Sequence, residues 1–158
     1  TPSSWTHKLK MLCLGNNLIE DPEALAQILI QFESLHHLQV SRNRVVETSW
    51  LIEMSCSRKL AWLQLGSNQM VDIEPLAKAL PMAEKLAKVE LQDNKFAKVC
   101  SLADARVLVR SMRQRALTKN PLDSTSREQL WKAWGEHDLR MDHGRKLDEG
   151  VNVSAEPL

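Results

Sequence analysis

Aromatic residues are scarce in this chain, and tyrosine is absent. The 158 residues include two Phe and five Trp. No apolar run approaches the roughly 20 residues that a membrane-spanning helix needs, and no secretory signal is visible at the start. The sequence therefore predicts no membrane insertion.

Cysteine is also scarce. Cys13, Cys56 and Cys100 are widely separated, and none of them belongs to a Cys-x-x-Cys pair. An odd, scattered set of cysteines indicates neither a disulfide framework nor a zinc site. We expect a reducing environment, which means an intracellular protein of the cytoplasm or of an organelle interior and not a secreted one.

An excess of charge of one sign is missing as well. The 21 basic and 20 acidic residues give a formal net charge of +1. There is no general electrostatic attraction toward nucleic acid or an anionic membrane, so we expect neither as a partner.

Catalytic signatures are absent too. The chain has no Gly-rich phosphate loop, no Gly-x-Ser-x-Gly and no His-Glu-x-x-His. Each of these motifs supplies a geometry that its chemistry requires. The adjacent His36 and His37 would face opposite sides of a strand and could not easily share a metal. We therefore predict no enzyme, with no catalytic residues, no cofactor and no metal site.

The sequence contains five copies of one eleven-residue motif, Leu-x-x-Leu-x-Leu-x-x-Asn-x-apolar. The clearest copy spans residues 60–70. The ninth position is Asn in every copy, at intervals of 26, 25, 26 and 26 residues: Asn17, Asn43, Asn68, Asn94 and Asn120. A fixed period of this length is typical of stacked repeats, and the pattern resembles the leucine-rich repeat.

The first half of each repeat predicts a strand. Apolar residues at positions four and six alternate with variable ones, which gives a strand with one buried face. The Asn follows where the chain turns inward, and both ends of its amide can bond backbone groups of adjacent turns. We expect the five asparagines to form a structural ladder.

The second half of each repeat predicts a helix. Asp21, Pro22 and Glu23 stand in the order that favours a helix start. Asp72 with Pro75 opens the third repeat's helix. The spacings Ser101 to Asp104 and Thr125 to Glu128 are typical of capping boxes.

Strand plus helix in 25 or 26 residues resembles the ribonuclease-inhibitor-like class of leucine-rich repeats. That resemblance implies an α/β fold, a right-handed solenoid bent into a horseshoe arc. Its parallel β-sheet would be concave and its helices convex.

The repeats also predict the domain organisation. Residues 1–8 are a partial repeat, 9–122 the five copies, 123–147 a degenerate capping repeat and 148–158 a flexible tail. In the capping repeat Leu139 and Met141 keep the spacing of a strand, and Gly144 replaces the Asn. Arg115 stands at a core position, where we expect it to reach solvent or pair with an acid of the cap, since an unpaired buried charge is costly. The first strand has no cap before it, which indicates either a longer repeat protein or another cover for that edge.

Positions three, five and seven would line the concave face. We single out Trp62 at its centre, either as an exposed anchor of the kind enriched in binding hot spots or as a ring lying flat over its neighbours. Arg42, Asp93 and Lys119, at position eight, are expected to be solvated rim residues. The predicted protein-binding residues are His37, Gln39, Trp62, Gln64, Lys88 and Glu90.

Together these features favour a non-catalytic interaction scaffold or complex subunit that binds a protein partner. The alternative is a regulatory module of an enzyme system. The resemblance implies two forms of it, because some leucine-rich-repeat proteins activate a small GTPase and others recruit substrates to a ubiquitin ligase. No residue of this chain distinguishes these forms.

Overall fold

The structure is a computed structural model that describes residues 8–55, 58–99, 101–111 and 116–141. Four three-residue strands form one parallel sheet in chain order. Equivalent motif positions face each other, so that Met11 pairs with His37, His37 with Trp62 and Trp62 with Lys88. The strands are β1 (Met11–Cys13), β2 (His37–Gln39), β3 (Trp62–Gln64) and β4 (Lys88–Glu90).

A helical segment follows each strand. The α-helices are α1 (Pro22–Gln31), α2 (Glu74–Ala79), α3 (Leu102–Ser111) and α4 (Ser124–Met141). A 3₁₀ turn, Leu80–Met82, continues α2. Strands and helices therefore alternate with the period of the sequence repeat, and the chain has an α/β repeat fold.

The second repeat departs from the predicted pattern, because its helical segment, Ser49–Ser55, is a 3₁₀ helix. This repeat is one residue shorter than the others. A 3₁₀ helix rises about 2.0 Å per residue against 1.5 Å in an α-helix, so fewer residues cover the same height.

Side-chain caps begin α1 and α3 as predicted. Asp21 Oδ1 accepts hydrogen bonds from the backbone N–H of Glu23 at 2.8 Å and of Ala24 at 3.4 Å. Ser101 Oγ accepts from Asp104 N at 3.1 Å and donates to Asp104 Oδ2 at 2.7 Å. These bonds satisfy N–H groups that the first helical turn leaves free.

The start of α2 differs from the prediction, because Ile73 is its N-cap residue, and Asp72 Oδ1, one residue earlier, accepts from Glu74 N at 2.9 Å.

The predicted cap of α4 is wrong. The helix begins at Ser124, so Thr125 already lies within it. Asp123 Oδ1 accepts from Ser126 N at 2.7 Å instead. The side-chain and backbone hydrogen bonds with Ser126 hold the pKa of Asp123 below its usual value.

The core lies between the sheet and the helical segments. Residues at motif positions one, four, six and eleven are fully or almost fully buried in the second, third and fourth repeats. The first repeat is less covered, because Leu9, Leu12, Leu14 and Ile19 are only partly buried. This is expected of a first strand that pairs on one side within the described chain.

The register continues into the fifth repeat. Leu91 N donates to Ala116 O and Asp93 N to Thr118 O, both at 2.9 Å, which repeats the bonds between the earlier strands. In this repeat, the copy at residues 112–122, Ala116 stands at position five and was therefore predicted to line the open face, but it is only 3 % exposed. Residues 112–115, which include Gln114 and Arg115, lie outside the described residues.

The predicted sixth strand is also wrong, since Leu139 and Met141 lie within α4. An 18-residue helix takes the place of that strand. Gly144, the 148–158 tail and residues 1–7 lie outside the described residues. Within the described parts, no helix is long and apolar enough to cross a membrane.

Candidate functional site

The asparagines tie neighbouring repeats together at the ends of the strands. Asn68 Nδ2 donates to Val40 O of the preceding repeat and to Leu65 O of its own, both at 3.0 Å. Its Oδ1 accepts from Val45 N at 3.2 Å. Asn43, Asn94 and Asn120 repeat these three bonds one repeat apart.

Asn17 differs from the other four asparagines. It is exposed, and its side-chain hydrogen bonds, to Leu14 O and Gly15 O, stay within its own repeat. The ladder of bonds between repeats therefore runs through Asn43, Asn68, Asn94 and Asn120 in the described chain.

Sequence reasoning missed a backbone feature just before each Asn. All five residues at position eight have a left-handed backbone, with φ between 55° and 58°: Asn16, Arg42, Ser67, Asp93 and Lys119. Among non-glycine residues, Asn and Asp adopt this region most readily. The residue types of Arg42, Ser67 and Lys119 therefore gave no indication of a left-handed backbone. The turn orients the following amide into the ladder.

The six predicted binding residues share the exposed face of the sheet, opposite the buried Leu38, Leu63 and Val89. His37, Trp62 and Lys88 form a column across three strands. The rings of His37 and Trp62 stack with centroids 4.2 Å apart and planes 3° from parallel. Lys88 Nζ lies 3.8 Å from the centroid of the Trp62 ring.

A second row of polar side chains is bonded to this column. His37 Nε2 contacts Gln64 Oε1 at 2.8 Å, and Gln64 Nε2 donates to Glu90 Oε2 at 2.7 Å. Because the Gln64 amide donates through its nitrogen to the carboxylate, its oxygen accepts from His37, which places the proton on Nε2. Glu90 Oε1 completes the network with Lys88 Nζ at 2.6 Å.

The network sets the ionisation of Glu90. Partial burial would by itself raise the pKa of this carboxyl. The hydrogen bonds from Gln64 and Lys88, with the charge of Lys88, outweigh burial, so the pKa lies below its ordinary value. Glu90 is therefore a carboxylate whose charge is compensated within the face.

Trp62 is not the freely exposed anchor that one of the two predicted alternatives required. It is partly buried, and its ring lies between His37 and Lys88. A ligand could reach only the edge of the ring. Within the described structure, His37 Nδ1 and Trp62 Nε1 are buried without a hydrogen-bond partner.

A polar groove of about 350 Å³ adjoins this column. Six of its lining residues stand at motif positions five and seven, which were predicted to line the open face, but only Gln39, Gln64 and Glu90 were among the predicted binding residues. The other three stand at position eight, past the strand ends. Gly66 leaves space there that the side chain of Gln92 occupies; a Cβ on Gly66 would stand 2.6 Å from Gln92 Nε2. The groove is lined by Asn16, Gln39, Ser41, Arg42, Gln64, Gly66, Ser67, Glu90 and Gln92.

Within the described part of the chain, no three His, Cys, Asp or Glu side chains form a group that could hold a metal ion. The groove instead presents amides, hydroxyls and charged groups suited to hydrogen bonding.

In-register parallel strands, alternating helices and bridging asparagines define an α/β repeat fold. Its structural neighbours include internalins, which are leucine-rich-repeat proteins. An internalin (inlF) from Listeria monocytogenes matches with a TM-score of 0.55 and 23 % identity, over 78 % of this chain and 32 % of the internalin. This chain therefore spans about a third of that protein, and at this identity the likeness concerns the fold.

Two further solved structures are similar at lower TM-scores. The tropomodulin C-terminal domain from Caenorhabditis elegans gives 0.42 at 15 % identity, covering 87 % of this chain and 91 % of the domain. Internalin C2 from Listeria monocytogenes gives 0.39 at 19 % identity, covering 76 % and 66 %. No family model and no curated protein matches the sequence.

Proposed function

We propose that this chain is a non-catalytic protein-interaction module that binds a protein partner through the exposed face of its sheet. The observation that carries the proposal is the ordered network of His37, Trp62, Lys88, Gln64 and Glu90 on that face. Side chains already held in place lose less conformational entropy on binding, so more of the contact energy contributes to affinity.

In this proposal the repeats form a right-handed solenoid of the ribonuclease-inhibitor-like class. Helices are wider than strands, so stacking curves the chain with the sheet inside. The network would then lie on a concave surface, where a folded partner or a peptide meets several strands at once. The chain would act as an intracellular scaffold or as a subunit of a multiprotein complex.

The charges of the face favour protein over nucleic acid. Lys88 and Glu90 form an ion pair, and Arg42 is the remaining charged residue of the network and groove. Binding to nucleic acid draws most of its affinity from several cations that contact phosphates, whereas the described residues of this network and groove supply one cation without an ion pair.

The test compares two lysines on opposite sides of the fold. Lys88 lies on the sheet face, whereas Lys78 lies on α2 in an exposed ion pair with Glu74. We expect Lys88→Ala to weaken binding of a partner captured with the intact chain by about 2 kcal/mol, roughly thirtyfold, as central interface residues do. Lys78→Ala should bind as the parent does.

Partners are identified by quantitative mass spectrometry of captured proteins, and the affinity is then measured with the purified partner. Equal binding by Lys88→Ala and the parent, with weakened binding by Lys78→Ala, would assign the interface to the helical side. Stimulated GTP hydrolysis by a captured GTPase would favour the regulatory alternative.

A further inference from the structure

Resting on the proposed function, we infer that the polar groove holds an extended segment of the partner through an acidic side chain, whose carboxylate pairs with Arg42. Three features of the groove support this assignment: the covered faces of Trp62, the uncompensated charge of Arg42 and the free amides beside it.

The first feature is that the ring of Trp62 is not available as a hydrophobic anchor. Both faces of the Trp62 ring are occupied, by His37 and by Lys88. An aromatic or apolar group of a partner therefore finds no open ring to stack on. The partner would therefore make its contacts in the groove along the strand ends. Gln39, Gln64 and Glu90 line the start of this groove.

The second feature is the charge of the groove. Glu90 is compensated by Lys88 at 2.6 Å and by Gln64 at 2.7 Å. Arg42 makes no ion pair within the described residues; its side-chain contact is a long one, 3.5 Å from Nη1 to Asn16 Oδ1. A planar guanidinium forms its strongest hydrogen bonds with carboxylates, which it can hold through two parallel N–H groups.

The third feature is a set of free hydrogen-bonding groups. In the described chain the side chains of Gln39, Gln92 and Ser41 line the groove and make no hydrogen bond of their own. Each amide offers both donors and an acceptor, so it can bond the N–H and C=O groups of an extended backbone. The volume of about 350 Å³ lies at the lower end for ligand sites, which suits a few residues of a peptide.

The position of the acid is further restricted by Asp93. This carboxylate stands in the same row as Arg42, two repeats away, and accepts a hydrogen bond from Ser67 Oγ at 2.9 Å. An acidic side chain at that end would meet a like charge. The partner's carboxylate is therefore directed to the Arg42 end.

The experiment uses two pools of random octapeptides with blocked termini, one with Glu and one with Gln at the central position. Blocking removes the terminal carboxylate as a source of charge. Nuclear magnetic resonance of the labelled 158-residue chain follows the side-chain amides of Gln39 and Gln92. We expect both signals to shift with the Glu pool at about tenfold lower concentration than with the Gln pool, as a charge-assisted bond predicts.

Two matched variants locate the charge. Arg42→Gln should abolish the preference for the Glu pool. Lys119→Gln should keep it, because Lys119 has the same left-handed backbone and lies outside the groove lining. Equal response to the two pools, or a preference that survives Arg42→Gln, would overturn the inference. A shift of the same amides by the neutral sugar maltotriose but by neither peptide pool would also overturn it, in favour of a carbohydrate ligand.

Failure here is distinguishable from failure of the proposed function. If a captured partner loses affinity for Lys88→Ala but not for Arg42→Gln, the sheet face binds protein and the acidic segment is wrong. If both variants bind as the parent does, the proposal that the sheet face binds the partner is wrong.

Discussion

At the scale of single residues, the repeated Asn has a physical role that leucine could not fill. In Asn43, Asn68, Asn94 and Asn120 one amide donates to carbonyls of two repeats and accepts from a backbone N–H. Three of these side chains are buried. Water does not reach the backbone groups of those turns, so the amide supplies the hydrogen bonds that they would otherwise lack.

The first prediction follows from these bonds. Asn68→Leu should lower the free energy of unfolding by about 1–3 kcal/mol, because Val40 O and Val45 N lose a partner where water is excluded. Asn17→Leu is the control, since Asn17 is exposed and its bonds stay in its own repeat. Urea denaturation measures both, and equal losses would contradict a role in joining repeats.

A second prediction at this scale concerns Glu90. Its pKa is lowered below the ordinary value of 4.5, although burial acts in the opposite direction, because Gln64 and Lys88 bond the carboxylate. A depressed folded-state pKa contributes stability that is complete above the unfolded-state pKa and is lost as pH falls through the folded one. The melting temperature of the parent should therefore fall toward that of Glu90→Gln as pH drops below 4.5.

Nuclear magnetic resonance titration of the Glu90 carboxyl checks the cause directly. A midpoint at or above 4.5 would show that burial outweighs the hydrogen bonds. Loss of the low midpoint in Lys88→Met would attribute part of the effect to the ion pair.

At the scale of elements, the helix starts show how local chemistry competes with spacing. The Thr125 to Glu128 spacing fits a capping box, but Asp123 is the residue whose side chain bonds a free N–H of α4. An ionised carboxylate accepts more strongly than a hydroxyl and is favoured at a helix N-terminus.

The third prediction tests that cap. Asp123→Ala should lower the melting temperature and speed amide exchange in the first turn of α4, because Ser126 N loses its acceptor. Asp123→Asn keeps an acceptor and should restore most of the stability. Thr125→Ala is the matched control. A larger effect from Thr125→Ala than from Asp123→Ala would show that Thr125 is the cap of α4.

At the scale of the whole molecule, burial is uneven along the stack. Leu12 and Leu63 occupy the same motif position, but Leu12 is partly exposed whereas Leu63 is fully buried. Each repeat contacts only its neighbours, so an inner repeat is covered on both sides.

The fourth prediction uses this pair. Leu63→Ala should lower the free energy of unfolding by about 3 kcal/mol, in the range for a buried leucine. Leu12→Ala removes the same atoms at the same position of the first described repeat, where Leu12 is only partly buried, and should cost clearly less. Chemical denaturation of both variants measures the difference; equal costs would show that the first strand is as well covered as the third.

The repeat by itself determined much of this protein. Five leucine-rich motifs with an Asn at the ninth position predicted the parallel strands, their register and the buried positions, because a period of two and a period of 25 or 26 are properties of the chain alone. The pairing of His37, Trp62 and Lys88 across three strands followed directly from that period.

Only the tertiary structure determined the side-chain contacts, the backbone of the turns and the groove, which the repeat period does not specify. Whether Trp62 is open or covered depends on the side chains of the next strands, His37 and Lys88, which the motif leaves free to vary. The left-handed backbone of Arg42 is imposed by the turn and not by the preference of arginine. The groove is lined by residues of different repeats, such as Gly66 and Gln92, which lie side by side only when these repeats are stacked.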